Sequence, residues 1–496
     1  MSDARSMTLR ELLPGEVAGA AADLRVRGLA LDSRRIEPGH AFVALAGLNA
    51  HGITFAPAAS ARGAVVVLAD PAGLPASAPT AASGALPVVW IDNLRERVGS
   101  IAARFFGEPT RALRVTGVTG TNGKTSTVHL LAQALARGGR RAATIGTLGA
   151  GLHGALREGE RTTPDAIEVQ ALMEDFVAAG ATDVAMEVSS HALEQGRVNG
   201  VAFELAVFTN LTRDHLDYHG TMDAYGAAKR RLLEWPGLRA AVINVDDPFG
   251  AALAARTGAT RRVLRCGVER DDADVVARAV STGADGVAFR LETPWGAGDV
   301  ASRLLGRFNV ANLLVVAACL GELGFPFDAI VDSLAHLAPV AGRMQRIGGG
   351  PRPLVVVDYA HTPDALEQAL RALRAHCAGR LVCVFGCGGE RDAGKRPQMA
   401  AIAESLADAV IVTDDNPRGE DGDAIVADIL AGFVRPERVS VERDRAAAIA
   451  RAIGEAHAGD IVLLAGKGHE PYQEIAGVKR PFDDVAVARA VLEAAA

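Results

Sequence analysis

Gly117-Val-Thr-Gly-Thr-Asn-Gly-Lys-Thr125 follows the apolar run Arg114 to Val118 and leads into a helical pattern carrying His129, Leu130 and Leu131. Strand, glycine turn and helix in that order make a phosphate cradle. Gly120 and Gly123 let backbone N–H groups approach phosphate oxygens, the helix N-terminus adds a positive dipole, and Lys124 brings charge to the terminal phosphates. The Thr125 hydroxyl would sit on Mg²⁺. In the common P-loop the first glycine falls where this chain has Val118, so the loop is a related but distinct form.

The surroundings repeat this alternation of strand and helix. Arg114 to Val118, Asp183 to Val188, Leu205 to Thr209 and Ala240 to Val245 read as strands separated by helical segments, which implies a mostly parallel sheet covered on both faces. Leu354 to Asp358, Leu381 to Phe385, Ala409 to Thr413 and Ile461 to Ala465 repeat the rhythm, with a helix from Thr362 to His376. Upstream, Ala41 to Ala46 and Ala64 to Leu68 are short apolar strands, and Pro71 to Pro87 reads as an exposed loop. Texture changes near Glu108 to Ala112 and Pro339 to Arg343 suggest three domains, 1–111, 112–340 and 341–496. The expected class is α/β: a smaller N-terminal α/β domain, a central P-loop-type domain with a mostly parallel sheet, and a C-terminal Rossmann-like domain. Ligands in such sheets collect at the carboxyl ends of the strands.

Composition excludes several classes. Nearly half of the 496 residues are hydrophobic and 22% are charged, the balance of a folded protein. A formal charge of −7 gives no electrostatic reason to bind a nucleic-acid backbone. The five cysteines are scattered, with no CxxC pair, and read as free thiols of a reducing cytosol. No run of about 18 apolar residues occurs and the N-terminal segment lacks an apolar core, so neither a membrane span nor secretion is expected. A cytoplasmic monomer is the reading.

Two further segments carry chemistry. In Met186-Glu-Val-Ser-Ser-His191, Glu187 ends an apolar strand and should point into the ligand crevice, as a Mg²⁺ ligand or as a helix-capping acid. Thr209-Asn-Leu-Thr-Arg-Asp-His-Leu-Asp-Tyr-His-Gly220 packs Asp214, His215, Asp217 and His219 together after another strand. Zinc is conceivable from residue types alone, whereas the phosphate loop favours a magnesium nucleotide. No Ser/His/Asp or Cys/His arrangement suggests a protein nucleophile.

The loop Thr119-Gly-Thr-Asn-Gly-Lys-Thr125 has the form found in the Mur ligases and the related folylpolyglutamate synthetases, and the chain resembles the Mur ligase family over nearly its whole length. That resemblance implies an ATP-dependent ligase that converts a carboxylate into an acyl phosphate and then an amide. ATP would be held by Gly120, Thr121, Asn122, Gly123, Lys124, Thr125 and Ser126, by Asn309 near the adenine, and by Arg343 and Asp358 at phosphate and ribose. Asn309 also reads as a possible helix cap. His215 joins Thr125 and Glu187 as a Mg²⁺ ligand, and Lys229, which alone reads as a solvated helix lysine, becomes a CO₂-derived carbamate that helps hold a second Mg²⁺. Lys124, Glu187, His215 and Lys229 are thus the catalytic set. His219 reads as structural.

In the tripeptide-forming members, a UDP-muramoyl dipeptide, UDP-MurNAc-L-Ala-D-Glu, would be held at positions matched by Leu31, Ser33, Thr162, Thr163, Ser189, Gln195 and Arg197, with Leu48-Asn-Ala50 as a second uridine segment. Arg161 departs from the asparagine expected there. Thr413-Asp-Asp-Asn-Pro-Arg418 resembles the form found in diaminopimelate-specific members, which implies that it, Arg391 and Gly466 to Glu470 converge as the amino-acid subsite: Arg391 and Arg418 would grip the far carboxylate of meso-diaminopimelate, and Asp415 or Glu470 would meet its ammonium, with Asn416, Pro417 and Gly466 alongside. The alternatives are a lysine-adding member, which should lack the DNPR arginine, a folylpolyglutamate synthetase, or a kinase or nucleotide-binding module without amide-forming activity.

Overall fold

In the computed structural model, residues 5–47, 50–74 and 86–494 are described, so residues 75–85 of the expected Pro71–Pro87 loop lie outside them, as do Leu48 and Asn49. Contacts divide the chain into two units, residues 1–128 with 135–264, and residues 129–134 with 265–496.

The first unit opens with a four-stranded parallel sheet in the order Gly28–Ala30, His40–Ala44, Val66–Ala69, Val88–Trp90. Side chains alternate across it. Ala41, Val43, Val66 and Leu68 pack on one face with Leu94, Val98 and Ile101 of the helix Leu94–Phe105, while Phe42, Ala44, Val67 and Ala69 pack on the other with Ile53 and Ala59.

A second sheet in this unit runs Ala142–Gly146, Asp183–Glu187, Arg114–Thr119, Phe203–Phe208, Ala240–Asn244, all parallel where paired. The hairpin Gly149–Leu152 and Ala155–Arg157 extends its edge antiparallel. The strand before the phosphate loop is therefore central, flanked by later strands on both sides. Loops leaving the ends of Arg114–Thr119, Asp183–Glu187 and Phe203–Phe208 meet at one switch point.

In the second unit, the meander Val275–Gly283, Gly286–Thr293, Gly296–Ser302 is antiparallel. It was not among the expected strands, although Val275–Gly283 turns from buried to mostly exposed along its length and Ala284-Asp285 before Gly286 is a tight hairpin connection. The helix Arg307–Glu322 is buried for most of its circumference. A six-stranded sheet follows in the order Gln345–Gly348, Leu354–Asp358, Ile461–Ala465, Leu381–Phe385, Ala409–Val412, Ser440–Val441, parallel except for its first strand. Leu354–Asp358, Leu381–Phe385 and Ile461–Ala465 coincide with their expected runs. Both faces are covered, by the clusters around Leu366, Leu370 and Met399 and around Ile449, Ile453 and Leu492. This is the doubly wound architecture expected for the C-terminal part.

Arg445 and Asp484 are both fully buried here and meet in a bidentate pair, Nε to Oδ1 and Nη2 to Oδ2, each 2.7 Å. The pair ties the helix Arg445–Gly454 to the last helix, Asp484–Ala494. Removing one partner leaves a buried charge uncompensated, so Asp484→Asn is expected to lower stability by about 3–5 kcal/mol. Chemical denaturation followed by circular dichroism should show the midpoint falling.

Candidate active site

The phosphate loop is pinned by the segment after Phe203–Phe208. Thr121 N donates to Asn210 O and Asn122 N to Asn210 Oδ1, both at 2.9 Å, and Thr209 Oγ1 donates to Asn122 O at 2.6 Å. Gly120 has φ 149°, and a Cβ there would lie 1.8 Å from Thr209 Oγ1, so only glycine fits. Lys124 opens the helix Lys124–Arg137, and its Nζ donates to the carbonyls of Gly120 and Thr121 at 2.8 Å. Ser126 follows in the first turn.

Glu187 is 1% exposed at the end of its strand. Its Oε2 accepts from Thr125 Oγ1 at 3.1 Å, and its Oε1 accepts from Thr147 N at 2.8 Å. Gly146 makes room, since a Cβ there would lie 2.3 Å from Oε1. The capping alternative for Glu187 is excluded, because Ser189 caps the helix Ser190–Glu194. Thr147 also reaches Thr162 Oγ1 at 3.0 Å, a contact that sequence reasoning missed. A buried carboxylate flanked by hydroxyls is an oxygen-rich donor set that fits a hard cation. Among the described residues no group of three or more His, Cys, Asp or Glu side chains is placed to hold a metal.

Lys229 is 1% exposed on the helix Met222–Leu233. Its Nζ donates to Gly120 O at 2.7 Å and lies 4.2 Å from the Tyr225 ring centre. Burial, with the Lys124 ammonium as a second cause, holds this amine well below the ordinary lysine range. The solvated reading of Lys229 is thereby corrected: the helix turns it inward onto the phosphate loop. His215 adopts a left-handed backbone, φ 52°, and its ring lies 6.0 Å from that of Tyr225 and 4.8 Å from that of His191. Burial, then His215, push His191 down to about 4. His219 pairs with Ser190 Oγ at 2.9 Å, a structural contact.

The segments expected to hold the UDP substrate converge. Thr163 Oγ1 donates to Glu187 O at 2.9 Å and accepts from Ser189 N at 3.2 Å. Arg197 donates to Thr163 O at 3.1 Å and through Nε to Gln195 Oε1 at 3.0 Å. A cleft of about 1410 Å³ opens nearby, lined by Leu31, Ser33, Arg95, Gly146, Arg157 and Arg161 among others. Arg161 thus stands in the cleft wall, and sequence alone gave no contact for it.

In the second unit, Asn309 is not the helix cap: the helix Arg307–Glu322 begins after Gly306, and Asn309 Nδ2 donates to Leu305 O at 2.7 Å, with Asn312 donating to Asn309 Oδ1 at 2.9 Å. Arg343 lies over the Tyr359 ring at 4.7 Å, and Asp358 Oδ2 accepts from Met344 N at 2.7 Å. Burial raises the Asp358 carboxyl above its ordinary value, with Arg343 opposing.

The DNPR, GGERD and GKGHE segments meet. Gly389 N donates to Asn416 O at 2.9 Å, Arg418 Nη1 donates to Gly389 O at 2.8 Å, and Asn416 Nδ2 donates to Glu470 Oε2 at 2.8 Å. Pro417 lies between these contacts, and its carbonyl accepts from Glu420 N at 3.1 Å. A Cβ on Gly466 would stand 3.1 Å from Asp415 Oδ2. Arg391 is exposed, its Nη1 donating to Glu390 O at 3.3 Å, and no contact brings it to Asp415 or Glu470 among the described residues. Lys467, inside the expected Gly466 to Glu470 segment but given no role of its own there, and Glu474, outside it, complete the group.

A phosphate loop backed by a buried carboxylate is the equipment of a nucleotide-dependent enzyme. Residues 118–320 match the family description "Mur ligase middle domain", 342–468 "Mur ligase, glutamate ligase domain", and 25–106 "Mur ligase family, catalytic domain". The chain belongs to the Mur ligase family. It is similar to the "UDP-N-acetylmuramoyl-L-alanyl-D-glutamate--2,6-diaminopimelate ligase" of Xylella fastidiosa strain Temecula1, 56% identical over 494 residues, covering 99% of this chain and 98% of the relative. The ligase of the same name from Xanthomonas oryzae pv. oryzae is 56% identical over 490 residues, covering 98% of both. A solved structure of a ligase of that name matches with a TM-score of 0.75 and 39% identity, covering 99% of each chain.

Proposed function

We propose that this chain is the ATP-dependent ligase that joins meso-2,6-diaminopimelate to the γ-carboxylate of D-Glu in UDP-MurNAc-L-Ala-D-Glu, with release of ADP and phosphate, during peptidoglycan precursor synthesis. The observation that supports the substrate choice is the meeting of the DNPR, GGERD and GKGHE loops, where Arg418 Nη1 donates to Gly389 O and Asn416 Nδ2 donates to Glu470 Oε2. Diaminopimelate differs from lysine by a carboxylate on its far carbon, and a loop cluster that carries Arg391 and Arg418 together with Asp415 and Glu470 suits a far end that bears both charges.

The γ-phosphoryl group of ATP passes to the D-Glu carboxylate, giving an acyl phosphate. The amine attacks the acyl carbon, and phosphate leaves with its bonding pair as the amide forms. Two anions must meet in the first step, and the Lys124 ammonium over the phosphate loop offsets their repulsion. Thr163, Ser189 and Arg197, held to one another and to Glu187 O, orient the carboxylate substrate. Thr125, Glu187, His215 and carbamylated Lys229 would hold Mg²⁺, which supplies further charge neutralisation when bound. The carbamate forms when the neutral Lys229 amine adds to CO₂ and gives up a proton, and the depressed basicity of this buried amine favours it.

The proposed domains are 1–111, 112–340 and 341–496, which contain the family matches at 25–106, 118–320 and 342–468 respectively. Among the described residues no helix is long and apolar enough to cross a membrane, and a cytoplasmic monomer remains the reading.

ADP release with UDP-MurNAc-L-Ala-D-Glu, ATP and Mg²⁺, comparing meso-diaminopimelate with L-lysine, tests the assignment. Strong preference for meso-diaminopimelate is expected. Preference for lysine would keep the ligase and refute the reading of the DNPR loop, and no turnover with either would refute the assignment.

A further inference from the structure

Lys467 is 0% exposed, between the glycines of the GKGHE segment. Its Nζ donates to Asn416 Oδ1 at 3.1 Å and to Glu470 Oε2 at 3.4 Å, and lies 3.7 Å from Asp415 Oδ1. Asn416 closes the ring, donating through Nδ2 to Glu470 Oε2 at 2.8 Å. Burying an ammonium is costly, and it is tolerated where carboxylates and hydrogen bonds compensate.

The compensation is deliberately unequal. One ammonium faces two carboxylates, Asp415 and Glu470, while the nearby Arg445 is already taken by its bidentate pair with Asp484. The cluster therefore has one more carboxyl group than ammonium, and burial raises the Asp415 carboxyl above its ordinary value, with Arg445 and Lys467 opposing. Asp415 is 7% exposed and its Oδ1 accepts no hydrogen bond, since the Lys467 contact at 3.7 Å is too long for one. A buried carboxylate oxygen without a donor is a place where a donor is wanted.

We propose that Lys467 is a positioning residue for the amino-acid substrate: it binds Asp415, Asn416 and Glu470 into one rigid group whose surplus carboxylate receives the ammonium at the far end of that substrate. The inference rests on the reading of this cluster as the diaminopimelate subsite and goes beyond it by assigning the group that sets its charge. Without Lys467, two carboxylates would be buried together and would take up protons or move apart, and either outcome removes the ammonium site while leaving Arg391 and Arg418 for the far carboxylate.

The test compares kcat/KM for meso-diaminopimelate and for 2-aminopimelate, which keeps both carboxylates and the attacking amine but lacks the far ammonium. The intact protein is expected to prefer meso-diaminopimelate by roughly 10- to 100-fold, the worth of a charged hydrogen bond. In Lys467→Met the preference is expected to fall below about threefold, with the KM for ATP and for the UDP substrate unchanged, because only the ammonium contact is lost. Lys467→Gln serves as the second variant: it keeps a donor for Asn416 Oδ1 without the charge, and the preference should fall there too. Equal losses with both amines would mark a merely structural lysine, and full preference retained in either variant would overturn the proposal. If the unsubstituted protein prefers lysine over meso-diaminopimelate, the subsite reading itself fails and the role of Lys467 fails with it.

Discussion

Lys229→Ala is expected to lower turnover by about 10²- to 10³-fold, the usual effect of removing one charged group that stabilises a transition state. Short carboxylates such as formate or acetate should restore part of it. Nothing about the residue type suggests an anion: in water a lysine is a cation. Here its amine is buried, hydrogen-bonded to Gly120 O, and close enough to Lys124 for the two to repel. Both amines donate to the same carbonyl oxygen. A second ammonium would add little at that point, whereas conversion to a carbamate relieves the repulsion and places oxygens beside the phosphate loop. The two possibilities predict opposite rescue. If Lys229 acts as a carbamate, carboxylates rescue the alanine variant and alkylamines do not; rescue by methylamine alone would show that it acts as a cation. Carbon NMR of the unsubstituted protein in labelled bicarbonate gives a readout independent of turnover, with a carbamate resonance that is absent from the variant.

The legible parts of this molecule are those whose causes are local. Strand, glycine turn and helix follow one another within the phosphate loop, and the steric demand at Gly120 is met by the next strand's loop, so the motif could be read in place. Glu187 was legible because the end of a parallel strand is where ligands gather. Lys229 was not, since its inward direction depends on how the helix Met222–Leu233 packs, and resemblance alone singled it out. The sequence around Asn309 also fits a helix cap, but Gly306 with φ 88° starts the helix and leaves Asn309 within its first turn. Thr147, Lys467 and Glu474 were missed for a common reason. Each is an ordinary polar residue near a strand end or in a hairpin, and its partner is distant in sequence: Thr147 meets Glu187, Lys467 meets Asn416, and Glu474 N donates to Asn416 Oδ1. The antiparallel meander of Val275 to Ser302 needed only its alternation and its tight turn to be noticed.

Arg418→Gly should raise the KM for meso-diaminopimelate by about 10²-fold or more, because truncating one member of a desolvated charge pair costs several kcal/mol. Arg418 has φ 55°, a left-handed conformation that glycine adopts without strain and arginine does not. Its backbone is held there by N–H donation to Glu474 O at 2.9 Å, and its Nη1 is aimed by Gly389 O at 2.8 Å. If the side chain served only the fold, glycine would lose that hydrogen bond and a 4.0 Å ion pair with Glu474 and gain relief of about 1 kcal/mol of strain, so stability should change little. A large rise in KM at nearly constant stability therefore separates recognition from architecture. Arg418→Lys should not rescue, since an ammonium cannot reproduce the planar fork that grips a carboxylate. L-Lysine provides the control: it has no far carboxylate, so whatever turnover it supports should be almost the same in Arg418→Gly as in the unsubstituted protein, and the preference between the two amines should collapse. Parallel losses with both amines would show instead that the DNPR loop had moved, and the substrate assignment would have to rest on Arg391 alone.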